Sequence, residues 1–198
     1  MGIEVKESLI HWNYFLALES DLAQISRYIE FDNKNFRTYS IELAHLLLAS
    51  SSEIDVIAKG ICGILEPNSS AENINHYRMI INQNLPNFKN EFVYVPRFSL
   101  KLNPWSAWKS PNNQIKNPLW WGSYNKVKHE RNEYFAEANL KNVLNSISGL
   151  LVTVFYYYKL KFSINNPGLQ TRDITQLLLP ESEFIRLDES YYYSHLIV

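Results

Sequence analysis

The sequence predicts a mainly α fold: an up-and-down helical bundle with a proline- and tryptophan-rich insertion and a small C-terminal extension. Two observations carry this. Apolar residues recur at steps of three and four over four separate stretches, which is the spacing of amphipathic helices. Between the third and fourth stretches, residues 86–118 hold Pro86, Pro96, Pro104, Pro111 and Pro118, too many for a long helix. Residues 1–162 therefore read as one bundle containing the insertion, and 163–198 as an extension packed on it.

The first helix spans about 7–31, where Phe15, Leu18, Leu22, Ile25 and Ile29 form a continuous apolar stripe. Asp32-Asn33-Lys34-Asn35 breaks it. A second helix runs from about 40 to 65, capped by Thr38 or Ser40, with Glu42 in its first turn where the helix dipole favours a carboxylate. Glu66-Pro67-Asn68-Ser69-Ser70 ends it. A weaker helix over 71–85 follows. In the insertion, 91–95 and 97–102 read as short strands, and Trp105 and Trp108 sit in loop. A short helix begins near Pro118, a favoured first-turn residue. The last long helix covers about 133–162, from Ala136 and Leu140 through to Phe155 and Tyr158, until Asn165-Asn166-Pro167-Gly168 stops it. In the extension, 184–187 could pair with 191–198 as a hairpin across Asp188-Glu189-Ser190.

Composition narrows function. The 198 residues are 46% hydrophobic and 20% charged, a globular composition with thirteen tyrosines and ten phenylalanines. A formal net charge of −1 gives no global field to attract nucleic acid, so any such binding needs a local patch, for which Lys126, Lys128 and Arg131 are candidates. One cysteine, Cys62, allows no internal disulfide and suits a reducing cytoplasm. The longest apolar run, 149–158, is too short to span a bilayer, so no membrane role is expected. The histidines show no ligand spacing, there is no glycine-rich phosphate loop, and neither a metal nor a cofactor is expected.

The richest segment for chemistry is Asn117-Pro118-Leu119-Trp120-Trp121-Gly122-Ser123-Tyr124-Asn125-Lys126-Val127-Lys128-His129-Glu130-Arg131. On a helix Asn125 and His129 share one face, with Tyr124, Lys128 and Arg131 on a neighbouring ridge. A neutral His129 would suit a general base that removes a 2′-hydroxyl proton in RNA cleavage. Trp120 and Trp121 could stack on bases; burial habits favour a plug at the bundle end. Glu53 lies on the apolar side of the second helix and needs a cation or donors there. Lys128, His129 or Arg131 could supply them. The pair would be an internal ion bridge fixing helix register, or a carboxylate orienting a functional histidine.

The run from Pro118 to Arg131, followed by Phe135 and Ala138, resembles a family of uncharacterised bacterial proteins similar to the HEPN superfamily. The stretch Ser40-Ile41-Glu42 to Ser52-Glu53-Ile54-Asp55 and Lys59 resembles the long second helix seen there. The likeness covers roughly residues 10–160. It implies an up-and-down bundle that dimerises, and a metal-independent endoribonuclease of bacterial stress or defence systems. Such enzymes carry an arginine, then a polar residue, then a histidine. Asn125 matches the polar residue and His129 the histidine, which makes them the expected catalytic pair. Tyr124 stands in place of the arginine, and a phenol cannot hold a phosphate bidentately. Lys128 or Arg131 could substitute, so Tyr124, Lys128 and Arg131 are the expected substrate-binding residues and Glu53 a supporting one. Two functions are thereby expected: RNA binding or processing with a degenerate motif, or a non-catalytic module whose aromatic loop and tail bind a protein partner.

Overall fold

A computed structural model describes residues 8–109 and 116–193. Residue 7 of the first expected helix, 110–115 of the insertion and 194–198 of the tail lie outside the described residues. Among those described, seven α-helices dominate: α1 Ile10–Ile25, α2 Ile41–Leu65, α3 Ile74–Asn84, α4 Leu119–His129, α5 Arg131–Tyr134, α6 Leu140–Asn165 and α7 Thr171–Leu177. Three short strands, β1 Val93–Val95, β2 Leu100–Leu102 and β3 Arg186–Leu187, form one antiparallel sheet in the order β2-β1-β3.

Side-chain caps open α2, α3 and α6. Ser40 accepts from the Leu43 N–H at 3.1 Å and opens α2. Asn73 does the same for α3 through the N–H groups of Asn75 and His76. The first helix is shorter than its apolar stripe: after Ile25 the chain makes isolated turns through Ile29, which still packs on the core. The last long helix starts at Leu140 rather than near 133. Asn139 caps it, accepting the Asn142 N–H at 3.1 Å, and residues 131–137 form separate turns.

α2 and α6 are the spine. Ser50 meets Ser146 at 2.8 Å and Gly60 lies against Tyr157, so the two helices run parallel along most of their length. Small residues let them approach closely: a Cβ on Gly149 would lie 3.1 Å from Trp120 and 3.6 Å from Ile54. α1 closes the other side of the spine with Phe15 and Leu22, both fully buried.

The insertion packs along the flank of α6. Trp105 donates to the Gly149 carbonyl (3.3 Å), Trp120 donates to the Pro104 carbonyl (3.0 Å), and Phe88 lies edge-on to Tyr156. Glu91, nearly buried, accepts from Tyr156 (2.6 Å) and Tyr191 (2.5 Å) and so joins insertion, α6 and tail. The 184–187 stretch does supply a strand, and its partner is β1, through Val93 with Leu187 and Tyr94 with Arg186. Of the other expected arm, 191–198, the described part starts at the end of a 3-10 turn, Glu189–Tyr191, and 194–198 lie outside the described residues. Among the described residues no helix is long and apolar enough to cross a membrane.

Candidate nucleic-acid interface

α4 carries the segment singled out above, and its two faces differ. Trp120, Trp121, Tyr124 and Val127 point inward and are buried. Trp120 and Trp121 are thus core residues, and Trp120 lies against α6 at Gly149, in mid-helix and not at a bundle end. Tyr124 corrects the expectation of a substrate-binding phenol. Its ring packs against Trp121 at 5.4 Å between centroids, it is 5% exposed, and its hydroxyl accepts from Lys128 Nζ at 3.3 Å. Helical spacing places it one residue from the outward Asn125, and the aromatic ring takes the apolar side.

Asn125, Lys126, Lys128 and His129 are exposed. Asn125 opens into a cleft of about 700 Å³ between α4, the 33–39 loop and the start of α6. Lys34, Arg37, Lys126 and Lys141 line it, with Glu137 as its one carboxylate. Glu137 is already engaged, by the Ser123 hydroxyl (2.7 Å) and by Lys126 Nζ (3.7 Å). Among the described residues Lys34, Arg37 and Lys141 have no ion pair. Amides of Asn33, Asn117, Asn139 and Asn142 add polar groups, and Asn117 Oδ1 is buried without a partner.

Backbone pairing builds this cleft. The Leu140 N–H donates to the Thr38 carbonyl (2.9 Å) and the Lys141 N–H to the Phe36 carbonyl (3.2 Å), tying the 33–39 loop to the head of α6. Asn139 takes the next N–H. The first amides of α6 are therefore occupied, and attraction for an anion must come from the side-chain cations.

His129 lies outside the cleft. It ends α4 and lines a shallow hollow with Lys128, Glu130, Arg131 and Glu133. Asn125 and His129 share a helix face as expected, yet open on different recesses. Arg131 begins α5 and also borders a hollow with Ile41, His45 and Phe135.

Glu53 is the second correction. Its partner is His11 from α1, with Oε1 2.5 Å from Nδ1, and not a cation of the 124–131 segment. α1 packs over the middle of α2 and brings His11 there first. The sequence marked Glu53 as needing a partner, but nothing in it ranked His11 above the three candidates on α4. Lys34, Arg37 and Lys141 were also missed, since they are scattered charges until the loop and α6 pair. Among the described residues no three His, Cys, Asp or Glu side chains gather as a metal site. No protein-family model matches this chain, and neither a curated protein nor a solved structure matches it.

Proposed function

We propose that this is a HEPN-like helical-bundle protein of a bacterial stress or defence system, acting in the cytoplasm by binding RNA at the cleft beside α4 without cutting it. The observation that carries this reading is the charge of the cleft: four cationic side chains against one engaged carboxylate, in a chain whose net charge is −1. Local charge of this kind is what phosphate backbones select. The amides of Asn33, Asn117 and Asn125 add groups able to meet base edges. Cleavage is disfavoured by the motif itself. No guanidinium stands at Tyr124, its ring is in the core, and His129 opens away from the cleft. The reading of an aromatic docking loop loses support because Trp105 and Trp108 are 1% and 2% exposed. A homodimer, implied by the resemblance, would bring two clefts to one RNA.

The test is a titration of labelled single-stranded RNA with the protein, followed by fluorescence anisotropy at several salt concentrations. Binding should weaken steeply with salt, and Arg37→Glu and Lys141→Glu should each cost on the order of tenfold or more in affinity. Each phosphate contact removed should also lower the logarithmic salt slope by about 0.7. Incubation with a mixed RNA pool should leave it intact, and His129→Ala should change nothing. Affinity indifferent to both charge reversals would sink the assignment of the cleft. Cleavage abolished by His129→Ala would overturn the non-cutting half.

A further inference from the structure

A second recess lies toward the other end of α6, about fifteen residues from the cleft and so roughly 22 Å along the helix. It is a hollow of about 320 Å³ whose walls include His11, Tyr157, Tyr158, Lys161 and Phe162. The His11 ring and its backbone are both held. Nδ1 faces Glu53 Oε1 at 2.5 Å, the Tyr157 ring stands edge-on at 5.0 Å, and the Tyr158 hydroxyl accepts the His11 backbone N–H at 3.2 Å. Glu53 is 14% exposed and His11 21% exposed. With the carboxylate oxygen accepting the Nδ1 proton, the ring is held in one tautomer, with the lone pair on Nε2. Nε2 has no partner among the described residues, and His11 lines the hollow while Glu53 does not.

A carboxylate on one nitrogen of an imidazole that lines a cavity is the orienter–base arrangement of nucleophilic and general-base sites. The other described histidines lack it. His76 meets only neutral partners, His45 meets Glu42 at 3.7 Å on the surface, and the His129 ring has no hydrogen-bond or ion-pair partner among the described residues.

We propose that His11, oriented by Glu53, is a reactive imidazole site for small acyl esters, independent of the RNA cleft. Nε2 attacks the ester carbonyl carbon, the acyl C–O bond breaks, and the alkoxide or phenolate leaves. The acylated ring is then a cation retaining its Nδ1 proton, and the Glu53 carboxylate stabilises that charge. Water then attacks the acyl carbon and the acyl C–N bond breaks; one water proton passes to the departed alkoxide or phenolate, the carboxylic acid leaves, and the neutral imidazole returns. The net reaction is ester plus water giving acid plus alcohol. Tyr157 and Lys161 at the rim can hold the leaving oxygen by hydrogen bond and charge. His11 is the catalytic residue and Glu53 a positioning residue.

p-Nitrophenyl acetate is the probe, with nitrophenolate release followed by absorbance on the whole chain. The protein should exceed His11→Ala by on the order of tenfold or more, since the remaining histidines supply only background. Glu53→Gln should lose most of the advantage and Glu53→Asp should recover part of it. The Nδ1–H tautomer of His11, read from imidazole ¹⁵N shifts, should be lost in Glu53→Gln. Diethyl pyrocarbonate labelling of the unaltered protein, mapped by peptide mass spectrometry, should modify His11 faster than the more exposed His45 and His76. That measurement stands even where a variant fails to fold. Equal rates for the protein and a folded His11→Ala, or His11 labelled more slowly than His45 and His76, would overturn the proposal.

Discussion

Glu91 holds the hydroxyls of Tyr156 and Tyr191 on a single oxygen, at 2.6 and 2.5 Å, and is 9% exposed. Burial first, and then the Glu91 carboxylate, push both phenols well above the ordinary tyrosine range. Tyr191→Phe removes one of the two donors to a nearly buried charge, and should cost about 1–3 kcal/mol in a urea melt. A loss under a few tenths would show the carboxylate to be satisfied without it. Cys62 belongs with these residues. It is fully buried, and burial followed by the nearby Glu66 carboxylate pushes its thiol up from 9.0 to about 12. A thiol whose folded pKa is raised contributes stability that is complete below pH 9.0 and lost as pH climbs toward about 12. Tyr77, raised mainly by burial and then by Asp55, acts in the same direction from pH 10.0 upward. The melting temperature should therefore fall through this alkaline window, less so in Cys62→Ala. A level profile across it would refute the assignment. At this scale the sequence showed the anomaly but not its answer. Glu53 in an apolar stripe needed a partner, and the partner came from a helix forty-two residues earlier, which no local pattern identifies.

The packing of α2, α4 and α6 depends on where small residues fall. A Cβ at Gly149 would meet Trp120 at 3.1 Å with Ile54 close behind, all three being buried. At Gly63, on the same spine, nothing lies within 4 Å. Gly149→Val should thus destabilise by about 1–3 kcal/mol through overpacking, whereas Gly63→Ala should be neutral or stabilise by about 0.5–1 kcal/mol through helix propensity. Two thermal melts check the pair, and equal shifts would mean the Trp120 seam is not tight. Period made α1 and α2 legible, because each buries one face, while α6, buried on all sides from Ser146 to Tyr156, was legible by the length of its apolar run. The start of α6 was less so: Ala136 continues the apolar spacing, and the switch at Asn139 became decisive only once the carbonyls of Phe36 and Thr38 arrived to take the next amides. β1 and β2 were readable as local strands. Their third partner, β3, lies about ninety residues away, and pairing at that distance leaves no trace in hydrophobic alternation.

Over the whole molecule, the extension after α6 is an integral strap, because it satisfies a charge that the bundle buries. Glu19 on α1 is 5% exposed. It accepts from the Ser182 hydroxyl at 2.5 Å and from the backbone N–H groups of Phe184 and Ile185 at 2.9 Å each. Trp12 donates to the Pro180 carbonyl at 2.9 Å, and Ile185 and Leu187 are buried. A chain ending after Leu178 loses every one of these donors while keeping the carboxylate on an apolar surface. It should lose at least about 3 kcal/mol, combining the stranded charge with the exposed apolar area. The sign of a second change isolates the charge. In the complete chain, Glu19→Gln should destabilise, because an amide is a poorer acceptor for three converging donors. In the shortened chain the same substitution should stabilise, because it removes a carboxylate with no partner. Four denaturation curves, two chain lengths by two residues, measure the coupling directly. Glu19→Gln acting with the same sign in both lengths would mean that the strap rests on α1 by apolar contact alone.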